Sequence, residues 1–196
     1  MSTAVLDASM PQMKSKVAYD LNGEPILPKG AEFVDGEIVE KGMSELSNWV
    51  GKELLLALHL HVKAQGVGVV FHGGGEQGYK CFPHKPGLVR KPDVSFVRRD
   101  VNKAFLSEKG FTRDVPELIA EIVSPSDLFT DIKTRVADFR LAGTKLIWVI
   151  DPVQRVAEIY YPDGHFLTVT ELMSFTGEDV LPGFTLPLAE ILPKVR

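Results

Sequence analysis

Three side chains in this sequence have the types and spacing to do chemistry together: Asp93, Glu121 and Lys133. Asp93 lies in KPDVSFV and Glu121 in ELIAEIV, two short apolar runs with strand character. Side chains alternate along a strand, so Ile119, Glu121 and Val123 share one face and Leu118, Ala120 and Ile122 the other. Neither face is polar, so Glu121 is not the wet side of a half-buried strand. A carboxylate there needs a partner, a raised pKa or a cation. Asp93 shares its face with Ser95 and Val97, and Pro92 marks an edge or the start of that strand. Two carboxylates on neighbouring strands, with the backbone carbonyl of Ile122, would form an oxygen donor set suited to Mg2+ or Mn2+. Such an ion polarises a phosphoryl oxygen and lowers the pKa of bound water. Lys133 could orient the nucleophile or stabilise the charge that develops on the phosphoryl group. The chemistry indicated is metal-dependent hydrolysis of a phosphodiester.

Each residue also has a plainer reading. Asp93 could bond its own backbone at a strand edge. Glu121 could pair with an arginine such as Arg135, and Lys133 could flank an apolar stripe and reach to water. Any one of the three alone fits the plainer reading better. Two acids together in apolar strands favour the metal site.

The elements that must position these residues follow from periodicity. Glu117–Asp151 reads as a buried strand, a polar turn, an amphipathic helix over Thr130–Ala142 and a second buried strand, KLIWVID. Ile132, Val136 and Phe139 make the helix's apolar stripe, and Gly143 suits its end. Upstream, Asp35-Gly36 favours a tight hairpin turn. Ser44 caps a helix that carries Leu46, Trp49, Val50, Leu54, Leu58 and Val62 near helical spacing and ends at Gly66. Strands are expected at 67–71, near Tyr79–Phe82 and in LVRKPDVSFVRR, with a connection over 100–116 that holds a short helix near 104–109. RVAEIYY and HFLTVTE form a hairpin across Pro162-Asp163-Gly164, and the tail ends in a short packing helix. The pattern is α/β (α+β), a mixed central sheet flanked by helices with an extra C-terminal β-hairpin. Residues 28–196 are expected to form a single domain behind a flexible arm over 1–27.

Composition narrows the partners. A net charge of -4 gives no global pull toward nucleic acid, so any phosphate contact must be confined to a cleft. The single cysteine, Cys81, excludes an internal disulfide and a cysteine-rich zinc site. With no signal-peptide core and no run of membrane-spanning length, a cytoplasmic protein without membrane contact is expected. GGGEQG over 73–78 satisfies a dinucleotide-loop pattern, but two prolines follow where a helix should open, so it reads as a mobile loop. His59 and His61, two apart on a helix, cannot easily share a metal. Arg90, Lys91, Arg98, Arg99 and Lys103 bracket the Asp93 strand. By default they are solubilising charge, and functionally they would be a phosphate-guiding rim.

The segments LVRKPDVSFV, PELIAEIVSPSD and DIKTRVADFRLAGTKLIWVIDP resemble the bacterial Uma-two family of restriction-endonuclease-like proteins, within the PD-(D/E)XK nuclease superfamily. The resemblance runs from about Pro28 to Leu192 and takes in FVDGEIVE and LPGFTLPLAEIL. It implies a restriction-endonuclease-like αβββαβ core, with Asp93 and Glu121 as metal ligands. It also implies that the superfamily lysine, whose position holds Val123, has moved into the following helix as Lys133. An acid from the first helix region often contributes. Glu37, Glu45 and Glu53 are candidates, and Glu37 matches the opening block. Phe139 stands where the family often has tyrosine. The expected activity is cleavage of nucleic acid, DNA, by a homodimer whose hairpin 155–171 and N-terminal arm serve as pairing elements. The alternative is a nuclease-fold module that binds nucleic acid or a protein partner without cutting.

Overall fold

Asp35 and Gly36 both take positive φ, 49° and 86°, the geometry that folds two strands back with the right twist. They join β1 (Glu32–Val34) to β2 (Glu37–Val39) in the first hairpin of the structure. The structure is a computed structural model and describes residues 17–73, 78–100 and 110–194. The short helix expected near 104–109, Lys103 and the centre of the GGGEQG loop lie outside those residues, as does the arm up to residue 16.

After the hairpin comes α1 (Glu45–Gln65). Ser44 caps it reciprocally with Ser47, and Gly66 ends it in the left-handed region at φ 65°. Then follow β3 (Gly68–His72), β4 (Val94–Arg98), β5 (Leu118–Ile122), α2 (Phe129–Ala142), β6 (Leu146–Asp151), β7 (Val156–Tyr160) and β8 (Phe166–Thr170). The six strands β3 to β8 lie in sequence order in one sheet. Only β5 and β6 are parallel, because α2 carries the chain back between them. From α1 to β6 the order is αβββαβ. The strand expected near Tyr79–Phe82 does not form. That segment makes only isolated bridges, Tyr79 to Arg90 and to Thr112, because its two prolines and the Gly87 turn interrupt a ladder.

Alternation splits the core as the pattern requires. Leu118, Ala120 and Ile122 join Leu146, Trp148 and Ile150 on the α1 side, beneath Val50, Leu54, Leu58 and Val62. Ile119, Ile147 and Val149 pack on the α2 side against Ile132, Val136 and Phe139. Trp49, expected in the α1 stripe, is 48% exposed because it sits one step off the buried line. A second hairpin, β9 (Ser174–Thr176) and β10 (Thr185–Pro187), and α3 (Leu188–Ile191) seal the α1-side core. Phe175 stacks on Trp148 at 4.7 Å. No helix among the described residues is long and apolar enough to cross a membrane.

The buried face of α2 is not purely apolar: Arg135 and Asp138 are buried in it. They join Glu32 of β1 and Arg90 in one charge network. Arg90 donates to Glu32 at 2.7 Å and to Asp138 at 2.7 Å, and Arg135 donates to Glu32 at 3.4 Å. The backbone N–H of Lys91 also donates to Glu32, at 2.8 Å. Burial opposes the charge on Glu32, but Arg90, Lys41 and Arg135 outweigh it and hold the carboxyl below its ordinary 4.5. Burial likewise opposes the charge on Asp138, and Arg90 holds that carboxyl below 3.8. Depressed carboxyl values contribute stability that is present above the ordinary values and lost as pH falls through the folded-state ones. Acid should therefore unfold the chain through this network. Glu32→Ala would leave two buried guanidiniums short of an anion and should cost about 3–5 kcal/mol at pH 7 by urea unfolding, where a loss under about 1 kcal/mol would contradict the network's role.

Candidate active site

The β4–β5 ladder pairs Val94 with Ala120, and continuing that register one step sets Asp93 opposite Glu121. Opposed residues of an antiparallel pair have Cβ atoms about 5 Å apart, so two acids meet at the end of the ladder. Asp93 precedes β4, and its carboxylate takes over from the missing backbone partner: Oδ2 accepts the N–H of Ile122 at 2.7 Å. Its other oxygen, Oδ1, accepts from the ammonium of Lys41 at 2.9 Å. The same ammonium donates to Glu121 Oε2 at 2.8 Å and to the Lys91 carbonyl at 3.1 Å. Its three N–H donors are thus all engaged.

Lys41 comes from the loop between β2 and α1. Gly42 lets that loop lie against the segment after β5, where a Cβ on residue 42 would fall 2.2 Å from Ser126 Oγ. The lysine side chain is 9% exposed and that of Glu121 is 4% exposed. Burial opposes the charge on Lys41, but Glu121, Asp93 and Glu32 more than restore it and raise its pKa. One ammonium cannot neutralise two acids. Burial is the chief cause that lifts the Glu121 carboxyl to about 7, with Asp93 adding to it and Lys41 and Arg135 opposing. Glu121 Oε1 is buried and has no hydrogen-bond partner among the described residues.

These features bear on whether a divalent cation fits. Two carboxylates already converge on one cationic atom, the donors are oxygens, and Glu121 Oε1 lacks a partner. No group of three His, Cys, Asp or Glu side chains poised for a metal occurs among the described residues. An ion such as Mg2+ is commonly held by one or two carboxylates, with water and substrate phosphate completing its shell, so the pair fits that mode.

A family model described as "Putative restriction endonuclease" matches residues 27–189. The chain belongs to this family, Uma2. Restriction-endonuclease-like proteins generally use divalent metals. Among solved structures, this Uma2 chain resembles one titled as a putative nuclease belonging to DUF820 from Anabaena variabilis ATCC 29413. The TM-score is 0.68 at 18% identity, covering 82% of this chain and 88% of the other. That likeness concerns the fold. Among curated proteins, none matches.

In this Uma2 chain Asp93, Glu121 and Ile122 come together. Lys133 is directed elsewhere. Its ammonium hydrogen-bonds the Tyr160 hydroxyl and lies 3.2 Å from Glu158, with the Tyr160 and Phe129 rings at 4.6 and 5.0 Å. The cause is helical phase. Lys133 is on the flank of α2 that faces β7, whereas Arg135 is on the buried flank. Burial opposes the charge on Arg135, and Glu121 leads the acids that raise its pKa. Val123, at the superfamily's lysine position, packs against the α2-side core. Glu37 is exposed on the first hairpin, Glu45 is exposed at the start of α1, and Glu53 pairs with Lys52 at 3.1 Å. The N-terminal acid that reaches the buried charges is Glu32. No local motif marks Lys41 or Glu32, since both act through long-range approach. The bracketing arginines are engaged: Arg90 in the buried network, Arg98 with Glu117 and Arg99 with Asp114. Cys81 is buried, and burial pushes its thiol up to about 12, which removes it as a nucleophile at neutral pH.

Glu121 gives a pH test with a definite sign. A carboxyl raised from 4.5 to about 7 contributes stability that is full below 4.5 and lost as pH rises through about 7. Between pH 5 and 8 the metal-free wild type should therefore lose stability relative to Glu121→Gln, by on the order of 3 kcal/mol in urea unfolding. Parallel curves would show that Glu121 does not titrate in this window.

Proposed function

We propose that this chain hydrolyses phosphodiester bonds of DNA with a divalent cation, Mg2+ or Mn2+. Asp93, Glu121 and the Ile122 carbonyl would hold the ion. The observation that carries the reading is the meeting of buried Glu121 and part-buried Asp93 on one cation at the end of the β4–β5 ladder. The nuclease family supports a nucleic-acid substrate. The ion would supply Lewis-acid polarisation of the phosphoryl group. The Ile122 N–H fixes the Asp93 carboxylate, so that its second oxygen is presented in one orientation. Lys41 is the cation that touches both acids, and we assign to it the role that the sequence suggested for Lys133: orienting the water or stabilising phosphoryl charge as a point charge. Arg135 lends a second positive field from beneath. Cutting both strands of a duplex would call for two copies, and β8, an edge strand of the sheet among the described residues, supports a homodimer.

A second reading, binding without cleavage, is favoured by the full engagement of the Lys41 ammonium between the acids. Isothermal titration with Mn2+ separates the two. Heat that disappears in Asp93→Ala supports the hydrolase, and no heat in the wild type supports the binding module.

The activity test is nicking of supercoiled plasmid in Mn2+ and in Mg2+. Wild type should nick in the presence of the ion and stop in EDTA. Glu121→Ala and Asp93→Ala should lose at least about a thousandfold, and Lys41→Ala about a hundredfold or more, the range expected when charge stabilisation is removed. Lys133→Ala should stay within about threefold, because its ammonium serves Tyr160 and Glu158. Equal nicking by wild type and Glu121→Ala would contradict the mechanism.

A further inference from the structure

Helix α1 has two neighbouring faces of different kinds, one buried and one partly exposed. One carries Val50, Leu54, Leu58 and Val62 into the core. The next, at Asn48, Gly51, Lys52 and Leu55, has the i, i+3, i+4, i+7 spacing that a sheet-covering helix normally fills with large apolar residues. Here it carries an amide, a glycine and an ammonium. Asn48 and Lys52 are exposed, and a cavity of about 310 Å³ opens at the surface between that face and Met43, Ile122 and Asp93. Gly51 is what keeps it open. A Cβ there would lie 3.7 Å from Ile122 Cγ1, in ordinary contact, so a longer side chain would extend into the space.

Asp93 belongs to both places, touching Lys41 at the acid pair and lining the cavity wall. A phosphodiester held at the acids would thus have its neighbouring nucleotide at the cavity mouth. The lining suits one. Met43, Leu55 and Ile122 offer an apolar floor for a base, and the Asn48 carboxamide offers a donor and an acceptor to a base edge. Lys52, half-exposed and paired at the surface with Glu53 and the Trp49 ring, can take an adjoining phosphate. The volume is at the small end for ligand cavities, room for one nucleotide and too little for a base pair.

We propose that the cavity beside Asp93 is a subsite for a single unstacked nucleotide of the strand being cut. The preferred substrate then carries an unpaired or extruded nucleotide next to the scissile phosphate, where unstacking costs least. This rests on the phosphodiester reading above.

The test is a binding titration in EDTA, which separates binding from cleavage. Trp49 serves as reporter: Lys52 lies 4.1 Å above its ring, and the other tryptophan, Trp148, is fully buried. The probes are a short oligothymidylate and a blunt duplex of equal length. Wild type should bind the single strand about tenfold tighter than the duplex, and Gly51→Leu should abolish that difference. Lys52→Ala should weaken single-strand binding and reduce the log–log salt slope by about 0.7, the share of one phosphate. A wild type that binds duplex as tightly as single strand would overturn the proposal. So would a Gly51→Leu variant that melts like wild type and keeps the preference. Should Gly51→Leu melt early, Asn48→Ala decides, and an unchanged preference there also overturns it. Single-strand preference without any Mn2+-dependent cleavage would sink the hydrolase reading and leave the subsite standing. Equal cleavage of both probes, unimpaired in Gly51→Leu, would sink the subsite and leave the hydrolase standing.

Discussion

Where the β4–β5 register runs past Val94 and Ala120, a carboxylate comes to face a carboxylate, and the rest of the site answers that conflict. Two acids brought together in this way repel, and burial penalises the charge on Glu121. Lys41 supplies one compensating charge and bridges them, and the Ile122 N–H stabilises Asp93. Glu121 remains the less compensated of the two, which is why its carboxyl rises while the ammonium beside it stays charged. Arg135 reaches Glu121 only through its field, because its guanidinium is committed to Glu32 and lies 3.6 Å from Asp127. Remove Lys41 and both acids lose the cation they share.

Much of the fold was legible in the sequence because the periodicities are strong and local. The alternation in ELIAEIV separated two faces that pack into different cores, the apolar run KLIWVID read as a buried strand, and Ser44, Gly66 and Gly143 marked helix ends that the structure reproduces. The segment around Tyr79 was misread as a strand because its apolar residues are buried without a ladder. In the site, the acids could be found from their apolar neighbours. The cation could not. Lys133 and Arg135 are two residues apart on one helix, and which of them turns inward depends on packing against β1, far away in sequence. Lys41 stands in a short loop with no pattern, and the close approach of Gly42 to Ser126 that delivers it is visible only in three dimensions.

The charge pattern explains how a chain of net charge -4 can suit a phosphate substrate. Several positive side chains near Asp93 are spent inside the protein or on neighbouring acids, so the surface offers little non-specific attraction. At the acid pair positive charge would come from a bound divalent ion, and at the lip of the α1 cavity it comes from Lys52. Recognition confined to so small an area favours a substrate that can bring a single phosphate and nucleotide into it.

The central claim is that Asp93 and Glu121 share one cation, and that a divalent ion can take the place Lys41 now fills. The most direct measurement is anomalous diffraction from a crystal soaked in Mn2+. One strong manganese peak is expected between the Asp93 and Glu121 carboxylates, with the Lys41 ammonium displaced from that point. A crystal in which manganese binds elsewhere while Lys41 keeps both carboxylates would contradict it.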